Sequence, residues 1–451
     1  MQGILATHGP LVVLGLGAVV AMLLGPRRDR LHARVAAAVT LALAAALTLF
    51  RLGMPAVAVT ELLVDDGLAR FGTLVVCLSG LAGLVFLRPA LPAREAPALT
   101  LLAALGAAVL CGATHAATVF LGLELVTLSL IAMFVLPLTR PALEAGYKFL
   151  ILGAAGGATL LFAFALAYAA TGRLGLDAWA GGGMLVALGA ALLLAGLAFK
   201  FALVPFHMWT PDAFSGAPAA AAAFAGVASK MAVAVVLVRL AAVGPPDPVW
   251  HSGLAAMGVG SILLGNLAAL RQTSLTRMLG YSSVAHSGYM AVVLASGAAL
   301  GPEAVLFYLA AYAPALLAAL CVAALLGDAP GLDDLRGLAW RQPLAGAGLA
   351  LGLMSLAGLP VAAGFLGKFY LFAALIQAQA WGLLAVTAAG AALGFYYYLR
   401  FFAVIFRRGS GDVAAEVHWS DGAVLIGCAA IILVVGVYPE PLVELVRQAL
   451  N

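Results

Sequence analysis

Long apolar runs, punctuated by short clusters of arginine, glycine and proline, set the plan of this chain. A helix needs roughly 20 mostly apolar residues to cross a bilayer. Fourteen segments meet that need, at approximately 4–25, 33–52, 67–88, 96–114, 116–136, 144–170, 182–214, 217–240, 250–270, 274–297, 302–327, 344–376, 380–406 and 421–445. The pattern predicts an all-α polytopic membrane protein.

Two of these segments, the seventh and the twelfth, run about 33 residues, well past what a straight span requires. The seventh contains "FKFALVPFHMWTPDAF", with Pro205 and Pro211. The twelfth contains "SLAGLPVAAGFLGKFYLF", with Gly358, Pro360, Gly364 and Gly367. Proline removes an amide donor and frees a carbonyl, which a membrane tolerates where the gap is buried or lines a hydrated cavity. Both segments are therefore expected to be broken helices. They lie five spans apart, and an odd offset reverses direction through the bilayer. Spans 4–8 and 9–13 are thus expected to form two inverted five-helix repeats, the arrangement from which many transporters build a midplane pathway. The predicted organisation is residues 1–95 for the first three helices, 96–243 for the first repeat, 244–406 for the second, and 407–451 for the last helix.

Composition agrees with lipid as the main solvent. Of 451 residues, 65% are hydrophobic and only 9% charged, against about 25% charged in soluble domains. The mean hydropathy is +1.11. A net charge of +4 is too small, on a chain this long, to suggest nucleic acid. Cys77, Cys111, Cys321 and Cys428 stand far apart in apolar runs without C-x-x-C spacing, so they read as packing residues rather than zinc or iron–sulfur ligands. The basic cluster from Arg27 to Arg34 follows the first apolar run, the reverse of a cleavable signal peptide, so the first helix is expected to stay.

Arginine placement gives orientation, because cytoplasmic loops are enriched in Lys and Arg. Alternate loops place Arg27, Arg28, Arg30, Arg34, Arg88, Arg94, Arg140, Arg271, Arg277, Arg336, Arg341, Arg400, Arg407 and Arg408 on one side. The other side receives Arg51, Arg70, Arg173, Arg239 and Arg447. The split of 14 against 5 puts the first side in the cytoplasm and both termini outside.

Against this background the charges left inside the spans stand out. The chain has four lysines, Lys148, Lys200, Lys230 and Lys368, and all four lie in apolar segments, whereas the 19 arginines gather mostly between them. Glu124 is the only charged residue from Ala96 to Thr139, and Lys368 the only one from Gln342 to Leu399. His286 lies within "YSSVAHSGYM". A charge at a helix centre costs about 2.5–3.5 kcal/mol on insertion scales, so such residues usually face a bundle interior or a water-filled path. Arginine stays protonated in proteins, but a desolvated lysine can release its proton. Lysine, glutamate and histidine can thus take and give protons in a membrane. The competing readings are snorkelling or a structural ion pair for the lysines, and a hydrogen-bonded core histidine for His286 and His207. For Lys148, with Glu144 at i,i+4, a surface-level pair stands level with a relay role.

The stretches "FKFALVPFHMWTPDAFSGAPAAAAAFAGVASK", "NLAALRQTSLTRMLGYSSVAHSGYM", "GLPVAAGFLGKFYLF" and "YYYLR" resemble the antiporter-like membrane subunits of proton-pumping NADH:quinone oxidoreductase, respiratory complex I. The resemblance is strong from about residue 96 to 406 and looser outside it. It implies fourteen helices, two inverted five-helix repeats and a mid-membrane chain of charged residues. In that family a glutamate on the fifth helix matches Glu124 and a lysine on the seventh matches Lys200. The connecting lysine falls on Lys230 and the histidine of the tenth helix on His286. Lys368 stands where the M-type subunits carry glutamate, which favours the N-type. Two departures are "TPDAFSGAPAAAA" and Thr276, the latter at a commonly basic position. They leave open a second copy, or a subunit of a related hydrogenase or other donor-specific complex; the rival from another class is a cation/proton antiporter or a subunit of one.

The resulting expectation is a chain that moves protons and performs no redox chemistry. Protons enter from the cytoplasm toward Lys200 and Lys230, pass laterally, and leave from Lys368, while pairing between Glu124 and Lys200 acts as the switch. No nucleotide loop or redox ligand set is visible, so no cofactor is expected on this chain. NADH, FMN, iron–sulfur clusters and quinone are expected in partner subunits of a complex in a bacterial inner membrane.

Overall fold

With no water in a bilayer core to satisfy backbone groups, an apolar chain must close its hydrogen bonds locally, and helices do so. The computed structural model describes residues 7–27, 30–58, 60–87, 94–244, 249–327, 329–408 and 417–451. The helices are α1 (Gly9–Arg27), α2 (Arg30–Arg51), α3 (Gly67–Phe86), α4 (Ala96–Cys111), α5 (Ala116–Val135), α6 (Arg140–Thr171), α7 (Met184–Phe201) and α8 (Trp209–Gly216). There follow α9 (Ala219–Val243), with a π turn at Phe224–Ala228, and α10 (Val249–Leu270), α11 (Leu275–Ala295) and α12 (Gly301–Leu326). The last are α13 (Pro343–Ala357), α14 (Ala363–Gln377), α15 (Trp381–Phe406), α16 (Trp419–Val437) and α17 (Glu440–Leu450). Among the described residues, ten helices are long and apolar enough to cross a membrane. The architecture is all-α apart from a two-residue antiparallel ladder that pairs Val57 with Asp65 and Ala58 with Val64.

The two overlong segments are interrupted where their glycines and prolines lie. The seventh divides into α7 and α8, and the twelfth into α13 and α14. The last predicted span needs correction. α16 stops at Val437, and residues 440–450 form a separate helix. Pro439 restricts Tyr438, which adopts φ −130° and ψ 80°, out of the helical region. α17 buries only Val443, Val446 and Ala449, so it is a one-faced surface helix. Residues 4–6 of the first span, and Arg28 and Arg88 of the orientation argument, lie outside the described residues.

α9 and α12 form the centre of the bundle: their apolar windows are 100% and 89% buried, against 28% for α16. Close approach between α10 and α11 rests on glycine. A Cβ on Gly288 would lie 2.7 Å from the Gly258 carbonyl oxygen, so the two backbones touch there, as small residues allow in membranes. Cys77, Cys111, Cys321 and Cys428 are all buried free thiols.

Polar clusters mark the two ends. At one end Arg51 meets Asp65 at 2.6 Å, Arg70 meets the same carboxylate at 3.0 Å, and Arg239 meets Asp66 at 2.7 Å. Arg239 and Arg173 line one cavity of about 1130 Å³ there, with Pro302 and Leu450. Arg447 pairs with Glu303, next to that Pro302. The five arginines assigned to the minority side thus gather at one end. At the other end, Arg277 donates to Asp212 at 2.8 Å and Arg400 to the Leu270 carbonyl at 2.9 Å.

Candidate functional site

Lys200, Lys230, Lys368 and His286 are all buried, the three lysines being 3%, 1% and 8% exposed. Long amines that could snorkel instead point inward, so each must find partners inside the protein.

Lys200 is the penultimate residue of α7. Its ammonium group donates to Thr127 Oγ1 on α5, and Thr127 passes its own proton donor to the Leu123 carbonyl at 2.5 Å. The rings of Phe149 and Phe199 flank the amine, with centroids 4.9 and 5.3 Å from Nζ. The expected pair with Glu124 is not formed directly: no contact within 4.0 Å joins the two among the described residues. Thr127 has taken the amine instead. Because Glu124 and Thr127 are three apart on α5, they share a face of that helix. Gly157 makes room for Glu124, since a Cβ there would lie 2.8 Å from Oε1.

Lys230 sits two residues beyond the π turn of α9, a helix distortion often found at functional sites. Its amine makes three hydrogen bonds to α11: to the Ser283 carbonyl at 2.5 Å, to Ser283 Oγ at 2.7 Å and to Ser287 Oγ at 2.6 Å. Tyr312 on α12 donates to Ser283 Oγ at 3.1 Å. Its ring lies 4.8 Å from that of His286, centroid to centroid. His286 shares hydrogen bonds with Tyr308 through Nδ1 and, at 2.9 Å, with Tyr398 through Nε2. Tyr398 is in turn bonded to Ser282. An imidazole so placed can take a proton at one nitrogen and release one at the other.

Tyr308 packs on Gly367, where a Cβ would lie 2.9 Å from its ring, one residue from Lys368. Lys368 donates to the Ala357 carbonyl at 2.7 Å. Ala357 is the last residue of α13, and Gly358, at φ +80°, ends that helix in the left-handed conformation. Ala202 does the same for α7 at φ +61°. The two breaks share their hydrogen bonds: Leu203 N to Ala198 O at 2.8 Å, and Leu359 N to Met354 O at 3.0 Å. Lys200 precedes its break and Lys368 follows its own, yet both amines lie at a half-helix C-terminus. The negative end of the helix dipole favours a cation there. In the first break Trp209 Nε1 also satisfies the Phe199 carbonyl at 2.9 Å.

The site is therefore in two parts. One holds Glu124, Thr127 and Lys200; the other runs from Lys230 through Ser283, Tyr312, His286 and Tyr308 toward Lys368. Among the described residues no hydrogen-bonded chain joins Lys200 to Lys230. Lys148 belongs to neither part. It is 41% exposed in its side chain and bridges Glu144 and Asp212, both at 2.7 Å. His207 is buried beside the first break. Thr127, Ser283, Ser287, Tyr308, Tyr312 and Tyr398 were not singled out from sequence, although the i,i+4 spacing of Ser283 with Ser287 and of Tyr308 with Tyr312 was readable.

Residues 113–394, which include both breaks and all four of the buried cationic or imidazole positions, match the family "NADH:quinone oxidoreductase/Mrp antiporter, TM". The chain is 60% identical over 441 residues to NADH-quinone oxidoreductase subunit N of Cereibacter sphaeroides, covering 98% of each sequence. A chain of respiratory complex I from Thermus thermophilus superposes with a TM-score of 0.89 at 35% identity, covering 96% of this chain and 98% of that one. A chain of the Mrp complex from Dietzia sp. superposes with a TM-score of 0.87 at 18% identity, over 99% and 97%, and shares the fold. Broken helices, a buried basic row and end-to-end identity converge: the chain belongs to the NADH-quinone oxidoreductase subunit N family.

Proposed function

We propose that this chain is a proton-translocating membrane subunit of a respiratory NADH:quinone oxidoreductase in a bacterial inner membrane. It carries protons through Glu124, Lys200, Lys230, His286 and Lys368, and performs no redox chemistry of its own. NADH, FMN, the iron–sulfur clusters and quinone belong to partner subunits, which supply the drive. Moving one charge against the membrane potential requires about 2.3 kcal/mol per 100 mV. On this reading the chain crosses the bilayer fourteen times, with residues 96–243 and 244–406 as inverted repeats and both termini outside.

The observation that carries the reading is a buried polar row: Lys230, Ser283 and Tyr312 are joined by hydrogen bonds, the Tyr312 ring lies against His286, and His286 is bonded to Tyr308, which packs on Gly367 beside Lys368. Such a row can hold a proton at an amine and share it with hydroxyl groups on one side and imidazole and phenol groups on the other, with the step from Tyr312 to His286 left to a rearrangement of the hydrogen bonds. Thr127 changes the switch at the other end. Lys200 is held by a neutral hydroxyl at rest, so swinging it toward Glu124 would create the ion pair and raise its hold on the proton. Lys148, bound to two carboxylates, is assigned to structure at the arginine-rich end. A cation/proton antiporter subunit is the rival, but a sodium ion needs several oxygen ligands, and the row offers a single carboxylate, Glu124.

Proton pumping per NADH oxidised, measured in inside-out vesicles carrying the assembled complex, tests this. Lys230→Arg keeps the charge but cannot release the proton, so the proton-to-electron ratio should fall while the complex still assembles. Lys200→Ala and Glu124→Ala should lower it as well. An unchanged ratio in all three variants removes the relay.

A further inference from the structure

Between α2 and α3 near the start of the chain and α16 near its end lies a groove that the relay does not use. Its walls are α2 with α3 on one side and α16 on the other, and its floor is the middle of α12 around Pro314. The groove has a volume of about 970 Å³ and follows α16 from Trp419 to Val435. At 1.5 Å per residue that path is about 24 Å long, the scale of one extended acyl chain rather than of a compact ligand.

Its chemistry is graded. Along most of its length the lining is aliphatic, with Leu78 and Ile431 half exposed, and Leu442 and Leu445 of α17 close the far end. At the near end stand Arg34, His418, Trp419 and Ser420, with the buried Asp421 behind Ser420 in the chain. The Arg34 guanidinium is fixed at this mouth by donating to the Leu84 carbonyl at 2.8 Å, and a planar guanidinium is the side chain best suited to a phosphate. Trp419 is 78% exposed, as tryptophan is at the level of lipid headgroups. Midway, a Cβ on Gly427 would meet nothing within 4 Å, so the absent side chain deepens the channel.

We propose that this groove is a binding site for one anionic phospholipid of the leaflet at the arginine-rich end. Its phosphate sits on Arg34 and one acyl chain lies along α16 over Gly427. The Arg34 guanidinium stands at the mouth of a predominantly apolar channel in which the one carboxylate, Asp421, is buried, an arrangement complementary to a phosphate head on a hydrocarbon tail. The inference requires only that the chain resides in a membrane, and it stands or falls separately from the relay.

The test uses membranes containing the whole complex and a phosphatidylglycerol with a photoactivatable group in its acyl chain. After illumination, labelled peptides are mapped by mass spectrometry. Peptides of α16 and α3 should be labelled above the lipid-facing surface of α6 around Phe162. Gly427→Trp, which fills the channel, should remove that excess while α6 labelling stays constant. Arg34→Gln should lower it about tenfold, the loss of one charge-assisted hydrogen bond. Labelling no higher than on α6, or unchanged by Gly427→Trp, overturns the site. So does displacement by excess isoprenoid quinone in place of unlabelled phosphatidylglycerol, or efficient crosslinking of Gly427→Cys to a neighbouring subunit.

Discussion

A lysine buried in a membrane bundle is tolerable only if its three donors are met, and the three buried amines are met unequally. Lys230 has three acceptors within 2.7 Å; Lys200 has one hydroxyl and two aromatic faces; Lys368 has one carbonyl. Lys230 is thus the best-held cation, and Ser283 supplies two of its acceptors besides receiving Tyr312. Ser283→Ala should cost about 1.5–3 kcal/mol in the hold on the charged amine, because it removes a charge-assisted bond and the Tyr312 link together. We expect reduced pumping with NADH oxidation partly retained, and Ser283→Thr, which keeps the hydroxyl, should restore it. Equal pumping in Ser283→Ala would show that the Ser283 hydroxyl is not part of the path. The amines were legible in the sequence because the chain has only four lysines against a background of arginine. The hydroxyls were not. Serine and tyrosine are unremarkable in membrane helices, and Ser283 acquires meaning only when α9 is laid against α11, which no local pattern reports.

At the scale of elements, the two breaks are the same device built from different residues. Glycine at position 358 takes the left-handed conformation at no steric cost, whereas Ala202 adopts it at about 1–2 kcal/mol. The breaks were readable from Gly358, Pro360, Pro205 and Pro211, since each type disrupts a helix by a known mechanism. What sequence could not give is where the amines would go. Lys200 precedes its break and Lys368 follows by ten residues, yet both finish at a half-helix C-terminus, a coincidence of three dimensions. Likewise, expecting Glu124 and Lys200 to pair overlooked Thr127, a nearer neutral acceptor on the same helix face. The junction of α13 with α14 depends on Gly364, where a Cβ would fall 1.9 Å from the Ser355 carbonyl oxygen. Backbone cannot yield as a side chain does, so Gly364→Ala should cost at least about 1–3 kcal/mol and displace α14 with its lysine. Thermal unfolding of the purified complex should show subunit loss at lower temperature in this variant. Gly427→Ala, at an open position, is the control and should be silent; equal behaviour of the two would mean that α14 does not pack through Gly364.

The whole molecule is organised by a bilayer it does not contain, and the sign of each end is the property most open to direct test. Hydropathy saturates along this chain, so it could not distinguish the central helices α9 and α12 from the peripheral α16, nor warn that residues 440–450 form a surface helix. Charge was the better guide. Arg51, Arg70, Arg173, Arg239 and Arg447, assigned together from alternation alone, collect around one end of the bundle, with Asp65, Asp66 and Glu303 as partners for four of them. The opposite end, with Arg277 and Arg400 among the majority set, should then face the cytoplasm, since Lys and Arg near span ends resist translocation. Asp333 and Asp177 report the two faces: their side chains are 95% and 51% exposed, and each lies near an arginine of its own set. In a chain whose four buried cysteines are replaced by alanine, Asp177→Cys should react with a membrane-impermeant maleimide added outside intact spheroplasts. Asp333→Cys should react only in inside-out vesicles. The reverse pattern would place the termini in the cytoplasm and turn the proposed proton path around. Labelling of both positions from one face would mean that the intervening segments, from α7 through α12, do not return the chain across the bilayer as the alternation requires.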